Sequence, residues 1–341
     1  MHIKKLGNTK RRSLSVSNGD LVRLEPLYPD RSLPLLARPT FKGVDLTIWT
    51  SNTLELIQKN LSIHGAILFR NFDLTTASEF EQFIKVVSPQ LLEYRERSSP
   101  RSQVLGNIYT STNHPADQTI FLHNENSYQQ SWPMKIFFFC TSPATSGGET
   151  PLADCRRVFA RLNSKLVERF EKKQVMYVRN FGDGFGLPWE TVYNSTDRNG
   201  VEQQCRTAGV ELEWKENNRL RTRAVRPVLA RHPQTRELTW FNHATFFNIS
   251  TIEESTRKAL LADFGPEDLP TNSFYGDGSS IEPSVLDELR DCYLQEQVSF
   301  QWERGDLLMV DNMLVAHGRA PFTGQREVLA GMAEGNSERH V

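Results

Sequence analysis

His123 and Glu125 stand one residue apart in Leu122-His123-Asn124-Glu125-Asn126, and His317 lies far downstream, in the run that begins at Asp311 and Asn312. If the first two residues share a β-strand they project from one side of it, because side chains alternate with a period of two. A second strand can bring His317 to the same point. Two imidazoles and one carboxylate on one face of a metal, with the other face open, form the arrangement that holds a non-haem Fe(II) for oxygen chemistry. An H-x-E pair by itself is a common chance match. A hydrogen-bonded histidine beside a solvated glutamate is the commoner explanation of such a pair, so the surroundings must decide.

Such a site needs strands to carry it. Residues 52–63 open with Asn52 and Glu55 at capping-box spacing and read as a helix. Residues 65–70 read as a buried strand, and 75–87 as a second helix with Phe80, Phe83 and Val87 on one stripe. Residues 120–154 read as two strands joined at Trp132-Pro133, after which Asp154 caps a helix of about 18 residues. Residues 181–222 read as a lid-like excursion over the mouth of the site, above all in 181–200. Gly182, Gly184 and Gly186 in that stretch lack the strand–turn–helix order of a phosphate loop. Strand returns at 223–241 and 245–248, and residues 254–264 and 283–294 are helices. Residues 298–317 hold two strands around a turn at 303–306, and 326–332 is the last strand. Residues 1–20 carry Lys4, Lys5, Lys10, Arg11 and Arg12 without a hydrophobic period and read as a mobile basic tail. The rest, 21–341, reads as a single domain. A mainly β chain with flanking helices permits a double-stranded β-helix, a jelly-roll variant.

Composition narrows the function. A chain of 341 residues can bury a large core, and a net charge of −1 favours neither nucleic acid nor an anionic membrane. No apolar run approaches the roughly 20 residues needed to span a bilayer, and the start of the sequence lacks the apolar core of a secretory signal. Cys140, Cys155, Cys205 and Cys292 are scattered with no C-x-x-C, so neither a zinc ribbon nor a disulfide framework is indicated and a reducing cytoplasm is expected. Cys140 closes an apolar run and reads as core.

Further motifs give the site its context. Phe121-Leu122-His123-Asn124-Glu125 is followed by an apolar run ending at Cys140 and by Gly147-Gly148-Glu149-Thr150-Pro151. Gly305-Asp306, Asp311-Asn312, His317-Gly318-Arg319 and Arg326 come much later. In this order the chain resembles, from about residue 40 to residue 333, the taurine dioxygenase/clavaminate synthase superfamily of Fe(II)- and 2-oxoglutarate-dependent oxygenases. Trp240-Phe241-Asn242 and Arg221-Thr222-Arg223 are similar to motifs of its syringomycin-pathway aspartyl hydroxylase branch.

The resemblance implies the jelly-roll fold directly, and a role for each motif. His123, Glu125 and His317 would bind Fe(II), 2-oxoglutarate two further positions, and O2 the last. A carboxylate at Glu125 argues against a halogenase. Arg326, nine residues after His317, would pair with the far carboxylate of 2-oxoglutarate through its planar fork. Alternation turns Arg326, Val328 and Ala330 inward and Glu327 outward; a surface ion pair with Glu327 is the bland reading. Thr150, 27 residues after His123, would hydrogen-bond the same carboxylate, where a simple turn threonine is the alternative. Some relatives carry a second, substrate-gripping arginine where this chain has Ala330. The substrate acid is then held elsewhere, or is masked as a thioester on a peptidyl carrier protein. Arg95, Arg97, Arg101, Arg221, Arg223 and Arg226 could line the entrance and meet such a carrier, although solvated arginines explain them as well.

Asn107 and Asn242 are candidates for polar contacts to the substrate, and Tyr128, Trp189 and Phe246 for its apolar walls, against an ordinary core role. Asn312 and Arg319 flank His317 as candidate supports. His64, His114, His232 and His243 read as structural or supporting. The expected activity is hydroxylation of an unactivated C–H, at Cβ of an amino acid, free or carrier-tethered, in natural-product biosynthesis. The alternatives are a desaturase or cyclase of the same family, a metal-dependent hydrolase, and a metal-binding jelly roll without activity.

Overall fold

In the strands Trp132–Ser142, Leu307–Asp311 and Glu327–Asn336, side chains point by turns to two faces, and both faces are buried. This is why these segments read as nearly continuous apolar runs. Phe137, Phe139, Leu307, Met309 and Leu329 join one cluster, while Ile136, Phe138, Leu308, Val310 and Val328 join another. The helix Ala77–Val87 seals the first cluster: Phe80 stacks on Phe139 at 5.3 Å, and Phe83 meets Phe137 edge-on at 6.2 Å. Thr76 caps that helix in a capping box. Its hydroxyl accepts from the Glu79 N–H at 3.2 Å, and the Glu79 carboxylate accepts from the Thr76 N–H at 2.9 Å.

The computed structural model describes residues 21–93, 101–111, 114–182 and 187–337. The basic segment 1–20, Arg95, Arg97, Gly184 and Gly186 lie outside the described residues. The three strands belong to an eight-stranded sheet. Its order is Val22–Tyr28, Arg31–Pro39, Ala66–Phe69, Leu307–Asp311, Trp132–Ser142, Glu327–Asn336, Ile108–Thr110, Gln103–Leu105. A three-stranded sheet of Ile120–His123, Val315–Arg319 and Leu152–Asp154 packs onto it through the second cluster, to which it adds Leu152 and Val315. Two sheets closed over an apolar interior, with helices outside, make the expected jelly-roll core. A four-stranded sheet of Glu211–Lys215, Arg219–Arg226, Val175–Phe181 and Thr271–Tyr275 lies beyond it. It is joined through Tyr177, Trp240 and Tyr275 to the helix Pro283–Glu296.

Several expected elements fall elsewhere. Asn52 ends a first helix, Leu46–Asn52, whose cap is Asp45, accepting from the Ile48 N–H at 2.9 Å; the second helix, Leu54–His64, follows directly. Trp132-Pro133 opens a strand, where a missing N–H costs little. The reversal comes earlier, at 125–128, with Asn126 at φ 56°. Asp154 does cap a helix, but the helix breaks into Cys155–Arg161 and Ser164–Lys173, because the Asn163 side chain takes the Lys165 N–H and starts a new turn. The expected strand 223–241 divides into Arg219–Arg226, Leu229–Arg231 and Leu238–Trp240 around Pro227, which has no N–H to give to a ladder. Residues 245–248 are not strand: Ala244–Phe247 is a helical turn, entered where Asn242 Oδ1 accepts from the Ala244 N–H at 2.9 Å. The turn at 303–306 precedes both strands of its segment, which join instead at 312–314. The 181–222 excursion is no bare loop. Its helices Trp189–Tyr193 and Arg198–Thr207 close a cluster of their own with Phe181, Val201 and Leu220.

Among the described residues no helix is long and apolar enough to cross a membrane. All four cysteines are buried and unbridged. Burial pushes the Cys140 and Cys155 thiols up to about 12, which keeps them inert.

Candidate metal centre

His317 lies in the middle of Val315–Arg319 and sits directly opposite His123 in the antiparallel register. Directly opposed residues send their side chains to the same face, and the two rings stand 4.6 Å apart. Glu125 reaches them by another route than the one expected. Its strand ends at His123, so Glu125 is aimed by a turn rather than by alternation. Asn312 fixes that turn: its side chain accepts from the Glu125 N–H at 2.8 Å and donates to Glu125 O at 2.9 Å and to Pro133 O at 2.8 Å. Asn124 returns the clasp with a 2.7 Å bond to Asn312 O. One ligand atom from each of His123, Glu125 and His317 lies within 4.8 Å of the others.

The surroundings keep both imidazoles in the form that binds a metal. Burial pushes the pKa of His123 down against the pull of Glu125; it pushes His317 well down, helped by His123 and Arg101. His123 Nδ1 donates to Phe121 O at 2.9 Å, which leaves Nε2 its lone pair. Nδ1 of His317 is buried without a hydrogen-bond partner among the described residues, an orphaned polar atom of the kind a bound cation would satisfy. Two neutral imidazoles and a carboxylate fit Fe(II).

A small cavity of about 40 Å³, open on one side to solvent, is lined by His123, His317, Thr150, Arg319 and Arg326. Arg326 donates through Nε to Gly148 O at 2.9 Å. Burial, with Arg319 nearby, brings its pKa down to about 10, the mark of a guanidinium held out of water. Gly148, at φ +76°, presses on it so closely that an added Cβ would meet Arg326 Cδ at 2.9 Å. The Thr150 hydroxyl accepts from Trp302 Nε1 at 3.1 Å and keeps its own proton to donate. A half-buried arginine and a hydroxyl donor in one cavity fit a carboxylate such as the far end of 2-oxoglutarate.

The remaining candidates divide. Phe246 stacks on His123 with ring centres 4.3 Å apart and forms a wall of the centre. Tyr128 stands one ring behind, 4.9 Å from His243. Asn107 does not line the cavity and donates to Leu91 O at 3.3 Å. Trp189 is buried against Trp214 and donates to Asn218 O. Arg223 pairs with Glu213 and Glu267 on the outer sheet. Asn242 donates to Val228 O at 3.1 Å and accepts from Ala244, a structural corner. Arg319 holds the backbone carbonyls of His114, Pro115 and Gln118 over the cavity.

His243, read as structural or supporting, lies 2.5 Å from Ser127 Oγ through Nδ1 and sets its ring edge-on to His123. One contribution was not foreseen: Arg101, expected at the entrance, is buried and forms a 2.9 Å ion pair with Glu125. No periodicity or motif marks that pairing.

The model of the family described as taurine catabolism dioxygenase TauD, TfdA family, matches residues 26–333. The chain is 39% identical over 272 residues to the dapdiamide synthesis protein DdaC of Enterobacter agglomerans, covering 80% of this chain and 83% of that protein. It is 29% identical over 321 residues to a clavaminate synthase-like protein of Arabidopsis thaliana, covering 90% and 92%. Among solved structures, PvcB of Pseudomonas aeruginosa superposes with a TM-score of 0.56 at 16% identity, over 96% of this chain and 94% of that one, a likeness of fold. The chain belongs to the TauD/TfdA family of dioxygenases and is, with that family, an Fe(II)- and 2-oxoglutarate-dependent oxygenase.

Proposed function

We propose that this oxygenase hydroxylates an unactivated C–H, at Cβ, of an amino acid or a compound derived from one, in the biosynthesis of a natural product. The observation that carries the reading is the convergence of His123, Glu125 and His317 at one end of a cavity whose other polar lining includes Thr150 and Arg326. His123, Glu125 and His317 would hold the iron and leave half its positions open. Thr150 and Arg326 would take the far carboxylate of 2-oxoglutarate and so orient the cosubstrate. When bound, Fe(II) supplies, with O2 and 2-oxoglutarate, the oxidation of the C–H to C–OH, with succinate and CO2 as coproducts. Phe246 and Phe138 pack apolar rings against the two imidazoles. Natural-product biosynthesis is supported by the likeness to a dapdiamide synthesis protein. Unbridged cysteines support a reducing cytoplasm as its setting.

The test is anaerobic addition of Fe(II) and 2-oxoglutarate, followed by exposure to air with amino acids and with carrier-loaded aminoacyl thioesters. A visible charge-transfer band, substrate-dependent succinate and a product heavier by one oxygen are expected. Loss of two hydrogens in place of that gain would turn the reading to desaturation or cyclisation. Absence of the band would sink it.

A further inference from the structure

We propose that Trp302 is a positioning residue for the cosubstrate: its indole N–H aims the Thr150 hydroxyl at the far carboxylate of 2-oxoglutarate. The inference rests on the reading of Thr150 and Arg326 as the site of that carboxylate. Trp302 Nε1 lies 3.1 Å from Thr150 Oγ1, and both residues are buried. An indole nitrogen only donates, so the threonine oxygen accepts. A hydroxyl that accepts along one lone pair can turn its own proton only through the directions left to it. Among the described residues that proton meets no acceptor. Thr150 lines the same cavity as Arg326, so its proton is available to an oxygen placed there. Arg326 is held in a matching way. Its Nε donates to Gly148 O at 2.9 Å, which leaves the terminal nitrogens for a carboxylate.

Trp302 stands outside every helix and strand, and two devices fix it instead. The backbone of Val298 exchanges two hydrogen bonds of 2.8 Å with Leu152, which lays residues 298–302 beside residues 150–152. Arg70 and Asp306 then clamp the peptide groups on either side of the indole. Arg70 Nη2 donates to Gln301 O at 2.7 Å and to Asp306 Oδ2 at 2.6 Å. The same Asp306 oxygen accepts from the Glu303 N–H at 2.7 Å. Both charges of this pair are out of water, and displacing either one leaves the other uncompensated, so the clamp resists movement. Phe300 packs edge-on against the indole with ring centres 4.9 Å apart. The Gly305-Asp306 motif thereby gains a role. It is the outer end of a chain of contacts that runs through Arg70, Trp302 and Thr150 to the cosubstrate.

The keto oxygen and the near carboxylate of 2-oxoglutarate would go to the metal, so Trp302 has no part in holding them. Its effect is confined to acids that carry a second carboxylate at the far end. Trp302 therefore bears on the choice of 2-oxoglutarate over 2-oxo acids that lack that group.

The experiment measures calorimetric binding of two inert probes to the full chain loaded with Mn(II). N-oxalylglycine carries a far carboxylate; oxalate offers only the end that binds metal. Trp302→Phe keeps an aromatic ring and removes the N–H, and Thr150→Val keeps the shape and removes the hydroxyl. Trp302→Phe should weaken N-oxalylglycine by about 3- to 10-fold, and Thr150→Val by about 10- to 100-fold. The double variant should bind it as Thr150→Val does, because the indole then has no hydroxyl to aim. Oxalate should bind alike to wild type and to all the variants. Losses that multiply in the double variant would overturn the proposal, as would an equal loss of oxalate affinity in Trp302→Phe. A second measurement holds even where Trp302→Phe does not fold. Of the 6 tryptophan indole N–H signals in a nitrogen-15 spectrum with Zn(II), one should move in Thr150→Val. In wild type that signal should move with N-oxalylglycine and stay in place with oxalate. A signal indifferent to N-oxalylglycine would overturn the proposal and leave the cosubstrate site standing. Thr150→Val that binds N-oxalylglycine as tightly as wild type would remove the cosubstrate reading itself, and the proposal with it.

Discussion

Asn312 governs where Glu125 points. Glu125 lies past the end of its strand, and the two-way bond from the Asn312 side chain to its N–H and C=O does what a ladder partner would otherwise do. Replacing Asn312 with alanine leaves these buried groups unpaired and frees the carboxylate to turn. We expect Asn312→Ala to bind Mn(II) about 10- to 100-fold more weakly, by calorimetry, with an unchanged far-ultraviolet spectrum; wild-type affinity would show the clasp to be dispensable. Arg326 is tested through the cosubstrate. Arg326→Ala should raise the 2-oxoglutarate concentration that half-fills the charge-transfer band by about 10- to 100-fold, the worth of a lost charge-assisted pair, and Arg326→Lys should restore part of it. Iron binding should persist in both variants, and a loss of metal would place Arg326 in the wrong role. His123, Glu125, His317, Thr150 and Arg326 were reached through the family motifs, an H-x-E pair alone being a common chance match, and the fold draws them around one centre and its cavity. Asn107, Trp189, Arg223 and Asn242 misled because common polar and aromatic side chains are satisfied by local partners wherever the backbone offers them.

At the level of elements, apolar stripes of two or more turns announced their helices, and of the single junctions the cap at Asp154 was readable while the break at Asn163 was not. The stripe of Phe80, Phe83 and Val87 announced a helix because three apolar positions repeat at helical spacing. Ala244–Phe247 is a single turn, too short for any period to distinguish it from strand. Asn163, read as a helix interior, is a cap, since a short amide competes for backbone N–H groups. The capping box at Thr76 gives a measurable test. Thr76→Ala should lower stability by about 1 kcal/mol in urea unfolding at neutral pH. Hydrogen bonds from Thr75 and Thr76 hold the Glu79 carboxylate below its ordinary value of 4.5. Its folded-state pKa is thus depressed, so its contribution is complete above 4.5 and is lost as the pH falls through the lower folded value. The gap between wild type and Thr76→Ala should therefore narrow in acid. A gap that stays constant with pH would separate the cap from the carboxylate.

For the molecule as a whole, the jelly roll followed from the family motifs more than from the strands. The outer sheet holding Val175–Phe181 was unreadable because its partners are scattered across the segment 175–275. The folded chain sets the residues of the metal centre in backbone pairing. His123 and His317 are register partners. The turn leading to His317 is pinned by Asp311, which accepts from Met313 and Leu314 N–H at 3.0 and 3.1 Å and meets His232 Nε2 at 3.0 Å. A centre set in backbone pairing should stand before its ion arrives, in contrast to small domains that fold only around one. Chelation should therefore leave near-ultraviolet circular dichroism native. Mn(II) at 100 times its Kd should add about 2.7 kcal/mol, which for a chain of this length is a rise in Tm of about 4 °C. His123→Ala should abolish that rise while keeping the metal-free Tm close to that of wild type. A chelated protein that loses its tertiary signal would show instead that the ion is needed to bring the two strands together.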